Sequence, residues 1–371
     1  MRTEARIDLS AIRSNAAALA ERASGAQLMA VVKADGYGHG LVPSARAAVE
    51  GGASWLGTAF LEESLAVRAA GLKVPLLCWL STPGEDLLPA VQADVDLGVY
   101  DPAQLDATVA AARAAGRTAR VQLKVDTGLG RGGSTPADWP DLCARAAKVE
   151  ASGEVRVTGL WSHLACADAG PGDPVTARQA RVFAEALEVA DRAGLRPEVR
   201  HLANSAALLT APETHYDLVR AGIAVYGLSP VPQLAEDFGL RPAMTLASTV
   251  ALVKRVPAGS GVSYSHRYVT DRETTLALVP LGYGDGVPRA ATGTGPVQLG
   301  GARRTVAGTV CMDQFVLDVG DDEVSAGDEV LLFGPGDAGE PTAQDWADAL
   351  GTINYEVVTR VGARVPRVHL P

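Results

Sequence analysis

The chain has 371 residues, 47% of them hydrophobic, which is enough for two domains with substantial cores. Its 33 basic and 43 acidic residues give a formal net charge of −10, so its surface repels phosphate backbones and nucleic acid is not expected as a partner. Four scattered cysteines (Cys78, Cys143, Cys166 and Cys311) form no CxxC pair, and no run approaches ~20 apolar residues; neither a metal site nor a membrane span is expected, and reduced thiols fit a cytoplasmic protein.

The N-terminus, MRTEARIDLSAIRSN, lacks an apolar signal core, and its first residues are expected to pack with a second domain. Ser10 is expected to cap a helix reaching Ala20. From there strands and helices alternate. "QLMAVVK" reads as a strand, "LVPSARAAVE" as a helix, "SWLGTA" as a strand and "LEESLAVRAAG" as a helix. "VPLLCWL" and "VDLGVY" are strands around a short helix near "EDLLPAVQA", and "DPAQLDATVAAARAAG" is a helix ended by Gly116. Strands at "ARVQLKVDT", "VRVTGLWSHL", "EVRHLA" and "LVRAGIAVYG" complete the series, separated by helices at "DWPDLCARAAKVEA", "TARQARVFAEALEVADRAG" and "SAALLTAP".

Eight strands result, beginning near Gln27, Ser54, Val74, Val95, Ala119, Val155, Glu198 and Leu218. Strands alternating with helices imply parallel pairing, and eight units fit a (β/α)8 TIM-type barrel. A doubly wound open sheet competes, although no GxGxxG follows the first strand. After about Pro232 the segments become short, β-branched and separated by Gly, Pro or Asp, which predicts a mainly-β C-terminal domain containing one helix at "TAQDWADALG". The expected division is 1–236 and 237–371.

Active sites of parallel barrels lie at the C-terminal ends of the strands. Strand one runs into Lys33, strand five into Lys124 and Arg131, and strand six into His163. Strand seven leads to His201, Asn204 and Ser205, and strand eight carries Arg220. A partly buried lysine either packs its stem with its head in solvent or has a lowered pKa and attacks a carbonyl. The glycines and Tyr37 that follow Lys33 favour the second use, with the Tyr37 phenol available to a phosphate.

"AVVKADGYGHG" resembles the cofactor-binding segment of alanine racemases, and further stretches resemble that family in the same order: "LKVDTGLGRGG", "GLWSHLACAD", "HLANSAA", "VRAGIAVYG", "GVSYSHRYV", "LGYGDGVPR", "GTVCMDQ" and "NYEVVTRVGARVPR". The resemblance implies a barrel bearing pyridoxal 5′-phosphate (PLP), followed by a β domain, in an isomerase that interconverts L- and D-alanine and supplies D-alanine for peptidoglycan. It makes Lys33 the lysine that holds PLP and one of two bases, serving the D enantiomer, and Tyr264 the other, serving the L enantiomer. A phenol with an ordinary pKa of ~10 needs stabilising neighbours to act as a base near neutrality; His163 and Arg289 are the expected cations.

The same resemblance sets Arg220 on the pyridine nitrogen, where a group that can only donate favours a neutral ring nitrogen and discourages transamination. It assigns the phosphate to Tyr37, Ser205, the N–H groups of Gly222 and Ile223, and Tyr355. Arg131 and the Met312 N–H become substrate-carboxylate contacts, with Asp313 adjacent. Lys124 is implied to be carbamylated and so to orient Arg131, and Tyr283 with Tyr355 to narrow the entrance. Sites shared across a head-to-tail homodimer are implied as well. Readings that stay open here are a broad-specificity or serine racemase, a PLP-dependent decarboxylase, and a PLP-binding protein without turnover.

Overall fold

The computed structural model describes residues 2–234 and 238–371, so the expected boundary at 236/237 lies outside the described residues. Eight strands (Gln27–Val31, Trp55–Thr58, Leu76–Cys78, Asp96–Val99, Ala119–Lys124, Val155–Trp161, Val199–His201 and Leu218–Ala221) form one parallel sheet. The first of them pairs with both the second and the eighth, which an open sheet with strand one at its edge would not allow. The seventh and eighth share no ladder. Two backbone bonds close that seam, Asp217 N–H to Arg200 O at 3.0 Å and Arg220 N–H to Ala203 O at 3.1 Å. The barrel is therefore nearly closed, and its seam runs beside His201 and Arg220.

The expected helices lie between these strands. Pro102–Ala115 starts on the Asp101 carboxylate and ends at Gly116, whose φ of 63° needs no Cβ. The first helix corrects the sequence reading: it spans Leu9–Arg22, and Asp8 rather than Ser10 caps it, accepting from Ala11 N–H. Ser10 spends its hydroxyl on Asp8 Oδ1 at 2.6 Å. Inside the barrel, Met29, Trp55, Leu77, Trp161, Val199 and Leu218 form an apolar cluster separate from the main core outside it. Burying each of these large side chains contributes roughly 1.5–3 kcal/mol.

Thr3–Asp8 is a strand of the second unit. It pairs antiparallel with Met244–Thr249 and parallel with Arg367–Leu370, so both chain ends lie in one six-stranded sheet. A three-stranded sheet holds Leu252–Val256, Thr274–Val279 and Phe315–Gly320. Ala343–Leu350 is the expected helix, and Asn354–Thr359 is a second one that the sequence reading left out. Its single turn and a half is too short to show a helical period. Among the described residues, no helix is long and apolar enough to cross a membrane.

Candidate active site

The first strand ends at Val31, and Lys33 begins a left-handed turn instead of closing the strand. Ala34, Asp35 and Gly36 have φ/ψ near +55°/+50°, and Tyr37 has φ 53°. Each non-glycine residue there costs roughly 1–2 kcal/mol, a cost that persists only where surrounding contacts over-determine the backbone. Those contacts come from three directions. Glu63 Oε1 accepts from Ala34 N–H at 2.7 Å while its other oxygen accepts from Ala59 and Phe60 N–H. Asp35 Oδ1 accepts from Leu41 N–H at 2.8 Å. From the second unit's terminal strand, Arg367 Nε donates to Gly38 O at 2.9 Å, so both units grip the turn that carries Lys33.

Lys33 opens onto a cavity of about 380 Å³ at the C-terminal end of the barrel. Tyr37, Lys124, Arg131, His163, Ser205, Arg220, Gly222, Ile223 and Tyr355 line it as well, and none of its described lining residues is Asp or Glu. Burial, then the nearby Arg131, lowers the Lys33 amine below the ordinary lysine range, with Glu63 opposing. Burial, then Arg220 and Arg131, brings Lys124 down to about 8. Arg131 sits on a loop that Asp126 gathers by accepting from the N–H groups of Gly128, Leu129 and Gly130.

At one end of the cavity Tyr37, Ser205, Gly222, Ile223 and Tyr355 meet. Burial pushes the Tyr37 and Tyr355 phenols up, so both keep their protons and can donate. Gly222 N–H donates to Ser205 Oγ at 2.8 Å, which leaves the serine hydroxyl hydrogen for another acceptor. A Cβ on residue 222 would lie 2.3 Å from the Tyr37 oxygen, so only glycine admits the phenol here. This set of hydroxyl and N–H donors, opposite a lysine amine, fits a phosphate ester carrying an aldehyde, as PLP does.

Arg220 is buried and makes a dense set of donor contacts. Its Nη2 shares its two hydrogens among Ser162 O at 2.7 Å, Leu202 O at 3.1 Å and His163 Nδ1 at 3.2 Å. Guanidinium has no acceptor, so His163 Nδ1 carries no proton. Burial and the neighbouring Arg220, Arg131, Lys124 and Lys33 hold His163 well below its ordinary value. This corrects the expectation of a cationic His163: it is a neutral imidazole whose Nε2–H can donate.

The remaining candidates lie elsewhere. Tyr264, Tyr283, Arg289, Met312 and Asp313 line no part of the Lys33 cavity and belong to the second unit. Tyr264 is 70% exposed, on a loop where Ser263, Ser265 and His266 all have positive φ. Ser263 Oγ donates to Thr309 O at 2.6 Å, and Thr309 Oγ1 to Tyr264 O at 2.8 Å. Tyr283 N–H donates to Cys311 O and Gly284 N–H to Met312 O, while Arg364 ties Asp313 to the buried Asp285. Arg289 is exposed on a neighbouring turn, joined through the Val310 N–H to Thr292 Oγ1 bond. These residues make one outward-facing patch. Trp79 and Trp161 also line the cavity and were missed from the sequence, although both stand at the C-terminal ends of barrel strands.

Comparisons with known proteins agree along the whole chain. The family description "Alanine racemase, N-terminal domain" matches residues 7–230, and "Alanine racemase, C-terminal domain" matches 243–369. An alanine racemase of Frankia casuarinae is 65% identical over 369 residues, covering 99% of this chain and 96% of the relative. One of Thermobifida fusca is 64% identical over 366 residues, covering 99% and 97%. Among solved structures, the alanine racemase of D-cycloserine-producing Streptomyces lavendulae superimposes with a TM-score of 0.98 at 57% identity, covering 100% of this chain and 97% of that one.

Proposed function

The chain belongs to the alanine racemase family, and from that premise we propose how its own residues carry out the reaction. It is an isomerase that interconverts L- and D-alanine, and the family's product serves peptidoglycan synthesis. The family depends on PLP; we propose that this chain holds PLP through Lys33, with its phosphate on Tyr37, Ser205, Gly222, Ile223 and Tyr355. The observation that carries this reading is a single cavity where a lysine of lowered basicity faces these donors, with no acidic side chain among the described lining residues. Bound there, PLP would supply the electron sink that makes the Cα proton of alanine removable.

The two proton positions belong to the protein. The Lys33 amine takes or returns the Cα proton on one face, and the Tyr264 phenol of a second copy serves the other. Exposure of Tyr264, Tyr283 and Met312 as one patch outside the Lys33 cavity supports a homodimer that shares its sites. In that arrangement the neutral His163 donates from Nε2 toward the incoming phenol, and Arg289 remains the cationic candidate beside it. Arg131 and the Met312 N–H hold the substrate carboxylate, with Asp313 fixed by Arg364 next to it. Arg220 can only donate, so a ring nitrogen facing it stays unprotonated. Tyr283 and Tyr355 narrow the entrance and favour a methyl side chain. An assay across L-alanine, L-serine and L-lysine is expected to favour alanine by about 100-fold or more in kcat/KM; equal rates on serine would replace the narrow-substrate reading with a broad-specificity racemase.

Lys124 is proposed to carry a carbamate. With its pKa near 8, about a tenth of its amine is uncharged at pH 7, far more than for an ordinary lysine, and this fraction can attack carbon dioxide, forming the N–C bond and releasing a proton. The product replaces one of four clustered cations with an anion beside Arg131. Native mass spectrometry is expected to find the mass of one carbon dioxide on Lys124, and a bare ammonium would contradict it. The unmodified lysine also sets a pH dependence. Its folded pKa is below the unfolded value, so it penalises the fold below pH 8, and the penalty fades as pH rises toward the ordinary lysine range. In carbonate-free buffer, Lys124→Met is expected to raise stability against denaturant at pH 7 by about 2 kcal/mol, with the gain shrinking by pH 10.

A further inference from the structure

Behind Arg220 the barrel interior holds a line of polar side chains where apolar layers are the rule. Arg220 Nη1 donates to His201 Nδ1 at 3.0 Å. His201 Nε2 meets Gln122 Oε1 at 2.7 Å, and Gln122 Nε2 meets Asp96 Oδ2 at 2.9 Å. Asp96 also accepts from Arg120 Nε at 2.6 Å and from Thr158 Oγ1 at 2.5 Å. Asp96, Gln122, Thr158 and His201 are all fully buried. The line therefore crosses the lumen from strand eight to strand four, from the cavity to Arg120 on the far side.

Its two ends settle every orientation between them. Guanidinium can only donate and an ionised carboxylate can only accept. His201 must then accept at Nδ1 and donate from Nε2, and Gln122 must turn its oxygen to His201 and its NH₂ to Asp96. Burial and Arg220 hold His201 well below its ordinary value, which keeps it neutral as this order requires. The imidazole plane is held by Trp161, stacked at 5.6 Å with 2° between the rings. Room for Gln122 depends on Gly159, where a Cβ would lie 2.7 Å from the Gln122 amide carbon and oxygen.

We propose that Asp96 and Gln122 are positioning residues for the active site: with His201 they form a one-directional hydrogen-bond relay that fixes the Arg220 guanidinium and leaves one Nη1 hydrogen for the group bound in the cavity. Among the described residues no carboxylate contacts Arg220, and Asp96 is the acid that the relay connects to it. That Arg220 faces PLP rests on the functional reading above; the relay itself does not.

The relay predicts a polarity swap. Gln122→Glu sets two carboxylates against each other, and Asp96→Asn sets an NH₂ against either Gln122 or Arg120. In Asp96→Asn/Gln122→Glu the amide and the carboxylate exchange places: the new NH₂ donates to the new carboxylate and to Thr158 Oγ1, which turns its own hydrogen to Val121 O, its second acceptor at 3.1 Å. Each variant would be purified, its PLP removed and its folding checked by thermal melting. PLP rebinding, measured by absorbance, is expected to weaken about tenfold in each single variant and to return to within about threefold of the parent in the double. ¹⁵N spectra of His201 in the unaltered protein are expected to show one neutral tautomer protonated at Nε2 throughout pH 6–9. A proton on His201 Nδ1 would overturn the relay, and this test needs no variant that must fold. So would a double variant no better than Gln122→Glu, or single variants that bind PLP as the parent does. If PLP binds elsewhere, the functional reading fails while the His201 spectra still decide the relay.

Discussion

Lys33→Ala is expected to lower kcat/KM for alanine racemisation by at least about 10⁴-fold, because this one side chain is proposed to serve as both covalent anchor and base. The loss should not come from unfolding. The Lys33 ammonium is penalised by burial and by Arg131, so removing it relieves the cavity of a charge. The left-handed turn keeps its clamps, since Glu63 binds the backbone N–H of Ala34 and Arg367 binds the carbonyl of Gly38. A melting temperature equal to or above the parent's, with activity gone, is the expected pair of results. Activity within tenfold of the parent would place the reacting amine elsewhere, and Lys124 is the other lysine in the cavity.

The second large effect concerns assembly. Tyr264→Phe removes one oxygen from a side chain that is 70% exposed in the single chain, so stability should hardly change. Racemisation is nevertheless expected to fall by about 10³-fold or more, because no other proton donor is proposed for that face. Homodimers of Lys33→Ala and of Tyr264→Phe should each be nearly inactive. In a mixed dimer one site combines both defects and the other combines neither. After subunit exchange, verified by differently tagged chains, activity is expected to approach half the parent value per mixed dimer. No recovery would mean that Lys33 and Tyr264 act from the same chain.

Much of this was legible in the residues themselves. Strand starts at Gln27, Ala119, Val155 and Leu218 were marked by β-branched runs after turn residues, and parallel pairing then followed from the helices between them. The cavity-lining residues Lys33, Lys124, His163 and Arg220 were found because chemistry in a parallel barrel gathers at strand ends. Other features depend on three-dimensional placement. Asp8 and Ser10 are equally good caps in one dimension, and backbone geometry chose Asp8. The left-handed run at Ala34 and Asp35 has no local signal, because these are not glycines and contacts from Glu63 and Arg367 hold them. His163 reads as a cation until Arg220 is seen donating to its Nδ1. The relay of Asp96, Gln122 and His201 exists only once the barrel brings strands four, five and seven around one lumen.

Reductive trapping tests the central claim most directly. The protein saturated with PLP would be treated with borohydride, digested and mapped by mass spectrometry. The phosphopyridoxyl mass is predicted on the peptide containing Lys33 and on no other. The same label found on Lys124, or on any residue outside the cavity at the mouth of the barrel, would contradict the account.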